Sequence, residues 1–494
     1  MRKSVLALMC TLALAGTPGA QQDAIQTAAA ALGVADIKTL QFTGSGRNFS
    51  VGQNYTPNEA WPPVTVLNYT ASINYETASM RVELVREMGP VMPRGGGGPF
   101  FGEQRQIQVV SGNYAWNVAA AAPNAPAGAA APPAAPQPGA QPERMLALWA
   151  TPQGFVKAAM ANNAATRNAR GGTEVSFTLG GRYRMTGTIN TRGEVERVST
   201  LIDHPIVGDM SVETAYNGYR DFGGVMFPSR IDQTQDGYPS LELAIASVTA
   251  NRAFDAPVPD NVRSAPPAPV QVAVQKLAEG VFYLTGGSHH SLAVEMRDHI
   301  VVVDTPQTEQ RALAVLARAK ELIPNKPVRF VVTSHHHWDH LGGIRAAIDE
   351  GATIVTHRSN KAFLERVAKT PHTIVPDRLA ASKKPVRIRT VSDKDQLSDS
   401  TRTIELYHLT GYEHTGDMLV VYLPKEKILA EADAFTPPAQ PGAALVPPAV
   451  PFAKALYDNI RRHKLDVQTI APFHGNRLTD MAELARAAGV NATN

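Results

Sequence analysis

Ser334-His335-His336-His337-Trp338-Asp339-His340-Leu341-Gly342-Gly343 is the stretch on which the reading of this chain turns. It follows the apolar run Val328 to Thr333, which reads as a buried strand, and it gathers four of the chain's 14 histidines. Side chains two residues apart on a chain leaving a strand project to the same side. His335 and His337 can therefore share one ion, while Asp339 and His340 face a second and His336 points the opposite way. Imidazoles and carboxylates together suit zinc, with iron and manganese as alternatives. Gly342 and Gly343 open the next helix and let the backbone turn close to the site.

Working outward, the same chemistry recurs at the ends of other apolar runs. Arg297 to Val303 is a strand ending at Asp304, and Thr308 to Ile323 is a helix with Ala312, Val315, Leu316, Ala319, Leu322 and Ile323 on one face. Thr403 to Leu409 leads to His414 within Gly411-Tyr412-Glu413-His414-Thr415-Gly416-Asp417. Met418 to Leu423 and Ile428 to Ala432 form a hairpin that ends at Asp433. Val467 to Ala471 precedes Pro472-Phe473-His474-Gly475. Open α/β folds place their sites at the carboxyl ends of strands, where all these groups fall.

The motif His-x-His-x-Asp-His and the order of the later elements resemble the metallo-β-lactamase superfamily, from about Val272 to the C-terminus. The resemblance implies an α/β fold, the αββα sandwich, and a site for two zinc ions per chain. Carried over residue by residue, it assigns His335, His337 and His414 to one metal, Asp339, His340 and His474 to the other, and Asp433 to both. Asp304 resembles an aspartate that steadies the ligand loop without binding metal, and Asp339 would also orient the attacking hydroxide. The implied reaction is hydrolysis of an ester, thioester, lactone or β-lactam type bond of a small molecule. A bridging aspartate resembles glyoxalase II and lactonase-type members, which favours the first three bonds. One departure stands out: the family has Thr-x-Gly after the third histidine, and here Gly416 comes one residue early, which bears on the loop geometry around His414.

The remaining histidines are less defined. His289 and His290, in Gly286-Gly287-Ser288-His289-His290, lie on a loop that can overhang such a site, and His357 ends the strand Thr353 to Val355; each is a candidate for substrate or outer contact. His372, His408 and His463 have no motif around them and read as ordinary packed or surface residues. The Pro-rich stretch Thr436 to Pro451 is expected to wall the substrate pocket. Tyr412 and Tyr457 read as core residues ahead of substrate contacts.

At 494 residues the chain exceeds a single core and predicts at least two domains. A balance of 47 basic and 44 acidic residues leaves no field to gather nucleic acid or anionic lipid. Residues 1–20 have the charged, apolar, small-residue order of a secretory signal, which predicts a periplasmic or secreted protein with no integral membrane segment. Cys10 falls within it, so the mature chain would have neither disulfides nor cysteine ligands. Residues 36–254 alternate with period two and predict a β-rich domain, with a disordered Gly-, Ala- and Pro-rich loop over 91–142. Residues 255–270 read as a stiff linker, and 271–494 as the catalytic domain. The segment Tyr216 to Pro228 resembles half-barrel domains of lipoprotein-carrier-like periplasmic proteins, which implies an apolar ligand. Two alternatives to the di-zinc hydrolase follow: a periplasmic lipid-binding protein with an accessory metal domain, and a mono-iron oxygenase of the same superfamily.

Overall fold

The computed structural model describes residues 18–89, 93–98, 100, 102–119, 132–266 and 270–490. The signal segment expected over 1–20 lies outside them up to residue 17, and Pro18–Ala31 is helical.

The first half builds one antiparallel sheet of thirteen strands among the described residues. Consecutive strands are neighbours except at one place: Thr39–Phe49 pairs with both Pro63–Asn74 and the much later Tyr238–Ala250, so the two halves of the meander are joined along their middle. Alternation drives this arrangement. Along Tyr183–Asn190, for example, Met185 and Ile189 are fully buried between less buried neighbours, the pattern of a strand with one face on a core. Helices Gln141–Ala150 and Pro152–Ala161 lie on the buried face, with Leu148, Phe155 and Val156 wholly enclosed. Each such side chain contributes about 1.5–3 kcal/mol relative to exposure.

Two expectations are corrected here. The stretch 91–142 is not a disordered loop throughout: Glu103–Ser111 and Tyr114–Val118 are paired strands and Gln141 begins a helix. Its Gly and Pro content outweighed, on reading, the period-two run Gln106 to Val118, whose Ile107, Val109 and Trp116 are buried. Residues 120–131 lie outside the described residues. The stiff linker of 255–270 is also not free of the fold, because it includes the helical turn Asp260–Arg263 and buries Ala256 and Val262 against that trio.

The second half is a sandwich of a seven-stranded and a five-stranded sheet. Strands Ser291–Glu295 and Ile300–Val303 are buried on both faces. Leu292, Val294, Val301 and Val303 face the five-stranded sheet, while Ala293, Ile300 and Val302 face the outer helices. Helix Glu309–Leu322 packs on that outer side, its amide at Arg311 capped by the Thr308 hydroxyl. The parallel strands Ile300–Val303, Val328–Val332 and Thr353–His357 are joined by helices, and their carboxyl ends open on one edge. Among the described residues no helix is long and apolar enough to cross a membrane.

Candidate metal centre

Strand ends carry all seven residues of the expected ligand set to one place. His335, His337, Asp339 and His340 follow Val328–Val332, His414 lies on the turn before Leu419–Leu423, Asp433 follows Ile428–Glu431, and His474 follows Thr469–Pro472. Potential ligand atoms of His335, His337 and His414 lie within 4.8 Å of one another, and so do those of Asp339, His340 and His474 together with His289. Asp433 lies between the groups. Its Oδ2 is 3.3 Å from His335 Nε2, 3.0 Å from His340 Nε2 and 3.6 Å from His414 Nε2, and its Oδ1 is 2.9 Å from His474 Nε2.

Buried polar atoms are nearly always hydrogen-bonded. Here His335 Nε2, His337 Nδ1, both His414 ring nitrogens and Asp433 Oδ2 are buried without a hydrogen-bond partner, and each of the three imidazoles offers one ligand nitrogen to the same cluster. A cation would satisfy one nitrogen of each imidazole, so the donor set fits a metal. Burial, helped by neighbouring histidines, holds His335 and His337 well below the ordinary imidazole range, in the neutral state that ligation requires. Burial works against charge at Asp433 too, but the surrounding histidines outweigh it and keep the carboxylate ionised.

At His335, His337 and His340 the second ring nitrogen is tied down, as is usual for metal-binding imidazoles. Ser334 Oγ is 3.0 Å from His335 Nδ1, and Asp304 Oδ2 accepts from His340 Nδ1 at 2.9 Å. Asp304 also accepts from the Ser334 amide and hydroxyl, each at 2.7 Å, and has no solvent exposure. It touches the ligand loop rather than the metal space. Asp304 and Asp433 both have left-handed backbone, φ 57° and 58°, which aspartate tolerates better than most residues. Glu431, buried behind Asp433, is pushed by burial up to about 8 and accepts from the Ala434 and Phe435 amides, which holds the turn. Gly342 and Gly343 are required by packing: a Cβ on them would meet Gln307 O and Ala312 Cβ at 1.9 and 2.1 Å.

The remaining candidates separate. His289 Nε2 sits 3.1 Å from Asp339 Oδ2, its other nitrogen 2.8 Å from Ser288 Oγ, so it belongs to the second cluster. His290 turns away and bonds Gly475 O at 2.7 Å, steadying the loop that carries His474. His357 is not at the centre: it stacks on His408 with ring centroids 4.4 Å apart and caps the turn at Ser359. His336 points away from the metal space, 2.8 Å from Asp417 Oδ1. Tyr412 is fully buried against Phe452.

A cavity of about 570 Å³ opens onto His414 and Asp433. Its walls are Phe435, Pro437, Pro438, Leu445, Val446 and Phe452, with Gly98 arriving from the first half of the chain. Sequence reasoning missed that contribution, and also missed Gln53, Asn54 and Tyr55. Gln53 donates to Asp339 Oδ1 at 2.8 Å, and Asn54 O accepts from His337 Nε2 at 2.9 Å. No local signal marks these residues; Gln53 and Asn54 lie 286 and 283 positions before their partners.

Residues 284–474 match the family described as the metallo-beta-lactamase superfamily. Among solved structures the chain is similar to a metallo-beta-lactamase from Pontibacter korlensis, at 21% identity over 45% of this chain and 100% of that one, with a TM-score of 0.34. It is similar also to one from Hirschia baltica, at 20% identity over 44% and 96%, with a TM-score of 0.33. The C-terminal part of the chain is thus a metallo-β-lactamase superfamily domain, preceded by a large β-sheet domain.

Proposed function

We propose that this protein is an exported, two-zinc hydrolase that cleaves an ester, thioester or lactone in a small molecule whose acyl part is uncharged and apolar. The observation that carries the reading is the convergence of unpartnered buried nitrogens and a carboxylate oxygen on one space. His335, His337 and His414 would hold the first ion, Asp339, His340 and His474 the second, and Asp433 both. Bound zinc supplies a Lewis acid and lowers the pKa of water toward neutrality.

The chain's own residues do the rest. Asp339 orients the nucleophile, His289 steadies Oδ2 of Asp339, and the Asp304 carboxylate keeps the His340 lone pair turned inward. The cavity selects the substrate: beyond His414 and Asp433 at its metal end, its described lining has no ionisable side chain, so an acyl chain gains apolar burial along that wall while an anionic group there finds no protein counter-charge. The export reading rests on the pattern of residues 1–20, and N-terminal sequencing of periplasmic protein tests it.

Elemental analysis of the purified chain, followed by a hydrolysis screen over p-nitrophenyl esters, thioesters, lactones and β-lactams, tests the proposal. Two zinc ions and turnover of acyl esters are expected. A single iron would redirect the reading to oxygen chemistry, and a chain that takes up no metal would refute it.

A second reading concerns the first domain. A cavity of about 360 Å³ lies between the sheet and helix Gln141–Ala150, lined by Phe42, Tyr69, Met80, Leu84 and Leu243. It supports an apolar ligand there, which displacement of a fluorescent fatty-acid probe would detect.

A further inference from the structure

The segment Gly52–Tyr55 belongs by sequence to the first domain, yet each of its residues touches the ligand loops of the second. Trp338 N donates to Gly52 O at 3.3 Å, between the ligands His337 and Asp339. Gln53 Nε2 donates to Asp339 Oδ1. The Asn54 carbonyl accepts from His337 Nε2, and the Asn54 side-chain oxygen lies 3.3 Å from His336 Nε2. Tyr55 O accepts from Gly416 N at 2.8 Å, two residues after His414.

The fit is tight enough to fix residue types on both sides. Gly52 has φ +74°, and a Cβ there would lie 2.4 Å from the Trp338 ring. At Gly416 a Cβ would lie 2.9 Å from Tyr55 Cε1. The early glycine after His414, anomalous in the sequence, is thereby explained: it makes room for Tyr55. A second loop clamps the segment from behind. Gly96 N donates to Gln53 O at 2.7 Å, and the Arg94 guanidinium lies 3.6 Å from the Tyr55 ring centroid while pairing with Glu413.

The geometry points to Gly52–Tyr55 as a working part of the metal centre: the Asn54 carbonyl and the Gln53 amide set the ligand atoms of His337 and Asp339. A carbonyl can only accept, so His337 must carry its proton on Nε2, which leaves Nδ1 as the buried, unpartnered atom facing His335 and His414. The Gln53 amide occupies Oδ1 of Asp339 and leaves Oδ2 for the cluster with His289, His340 and His474. A fragment starting at Gln271 would lose both constraints, so the second domain is not a self-sufficient metal centre.

The inference rests on the metal reading above, and full-length Gln53→Ala separates the two. Zinc affinities are read by competition with a chromophoric chelator, and thermal midpoints are taken on the metal-free chain. Gln53→Ala should weaken the second zinc by about 10-fold or more, the usual effect of removing a hydrogen bond to a ligand. The first zinc should stay unchanged, and the metal-free midpoint should fall by only the few °C, about 2–6, that one partly exposed hydrogen bond contributes. Gly52→Val, which drives the segment off Trp338, should weaken both ions, and nitrogen-15 histidine shifts should show His337 losing its pure Nε2–H form. Wild-type affinities in Gln53→Ala, or a drop of about 10 °C or more in its metal-free midpoint with both ions weakened alike, would overturn the inference. A wild-type chain that binds no zinc would overturn the metal reading and this inference with it.

Discussion

Replacing Asp304 by asparagine isolates what one buried carboxylate does for the centre. Asparagine tolerates the left-handed backbone at this position, so the substitution changes hydrogen bonding and little else. The carboxylate accepts three bonds, from the Ser334 amide and hydroxyl and from His340 Nδ1. An amide has one accepting oxygen. The Ser334 N–H cannot turn away, so the oxygen must face it and the NH2 group then meets His340 Nδ1. That contact is donor against donor unless the His340 proton moves to Nε2, the atom 3.0 Å from Asp433 Oδ2. Either outcome disables His340 as a ligand.

The size of the effect follows. Bonds to a charged acceptor contribute about 1.5–3 kcal/mol each, and breaking a fully buried charged pair costs about 3–5 kcal/mol. For a unit of this domain's size about 2–4 °C accompanies each kcal/mol, so the midpoint of the second domain should fall by about 10 °C. Calorimetry of the metal-free chain reads the first quantity and zinc stoichiometry the second, which should drop from two to one. An Asp304→Asn chain with a midpoint within about 2 °C of wild type and both zinc ions retained would refute the reasoning.

His289→Ala should lower kcat/KM by roughly 10–100-fold, because the oxygen of Asp339 it holds is left free to turn; steady-state kinetics showing no change would remove His289 from the site. Val446→Asp places a charge on a half-exposed wall of the cavity and should raise KM for long-chain acyl esters by about 10-fold with kcat little changed. An equal effect on acetyl esters would argue against that wall as the acyl subsite. His204, packed on Trp338 with ring centroids 4.3 Å apart, is pushed by burial, with a smaller contribution from His372, down to about 3. Its folded value lies below the unfolded one near 6.5, so the unfolded chain takes up the proton first and stability is lost as pH falls from about 6.5 toward 3. At pH 5 this amounts to about 2 kcal/mol. Urea unfolding of His204→Asn between pH 7 and 5 should show a shallower loss than wild type, and parallel curves would refute the assignment.

Much of the centre could be read locally. The cluster His335 to His340 stands on six consecutive positions, Asp304, Asp433 and His474 each follow directly on an apolar run, and His414 lies in the turn between two of them, so the strand pattern brings them to one edge. The helix Glu309–Leu322 was legible for the same reason, its buried residues spaced by the helical repeat. Composition was a poorer guide over 91–142, where glycine, alanine and proline around them concealed two strands that pair with each other as a hairpin.

The residues themselves therefore determined the chemistry of the site and the α/β character of the second half, because ligand type and strand ends are properties of short windows. Only the tertiary structure decided which histidine nitrogens face the shared space, that His289 joins the second cluster while His290 and His357 do not, and that Gln53 and Asn54 bond to Asp339 and His337. Hydrogen bonds between residues some 280 positions apart leave no periodic trace in either segment. They exist because the loop after Thr39–Phe49 packs on the ligand loops of the second half, and that packing is set by the shapes of both folded surfaces together.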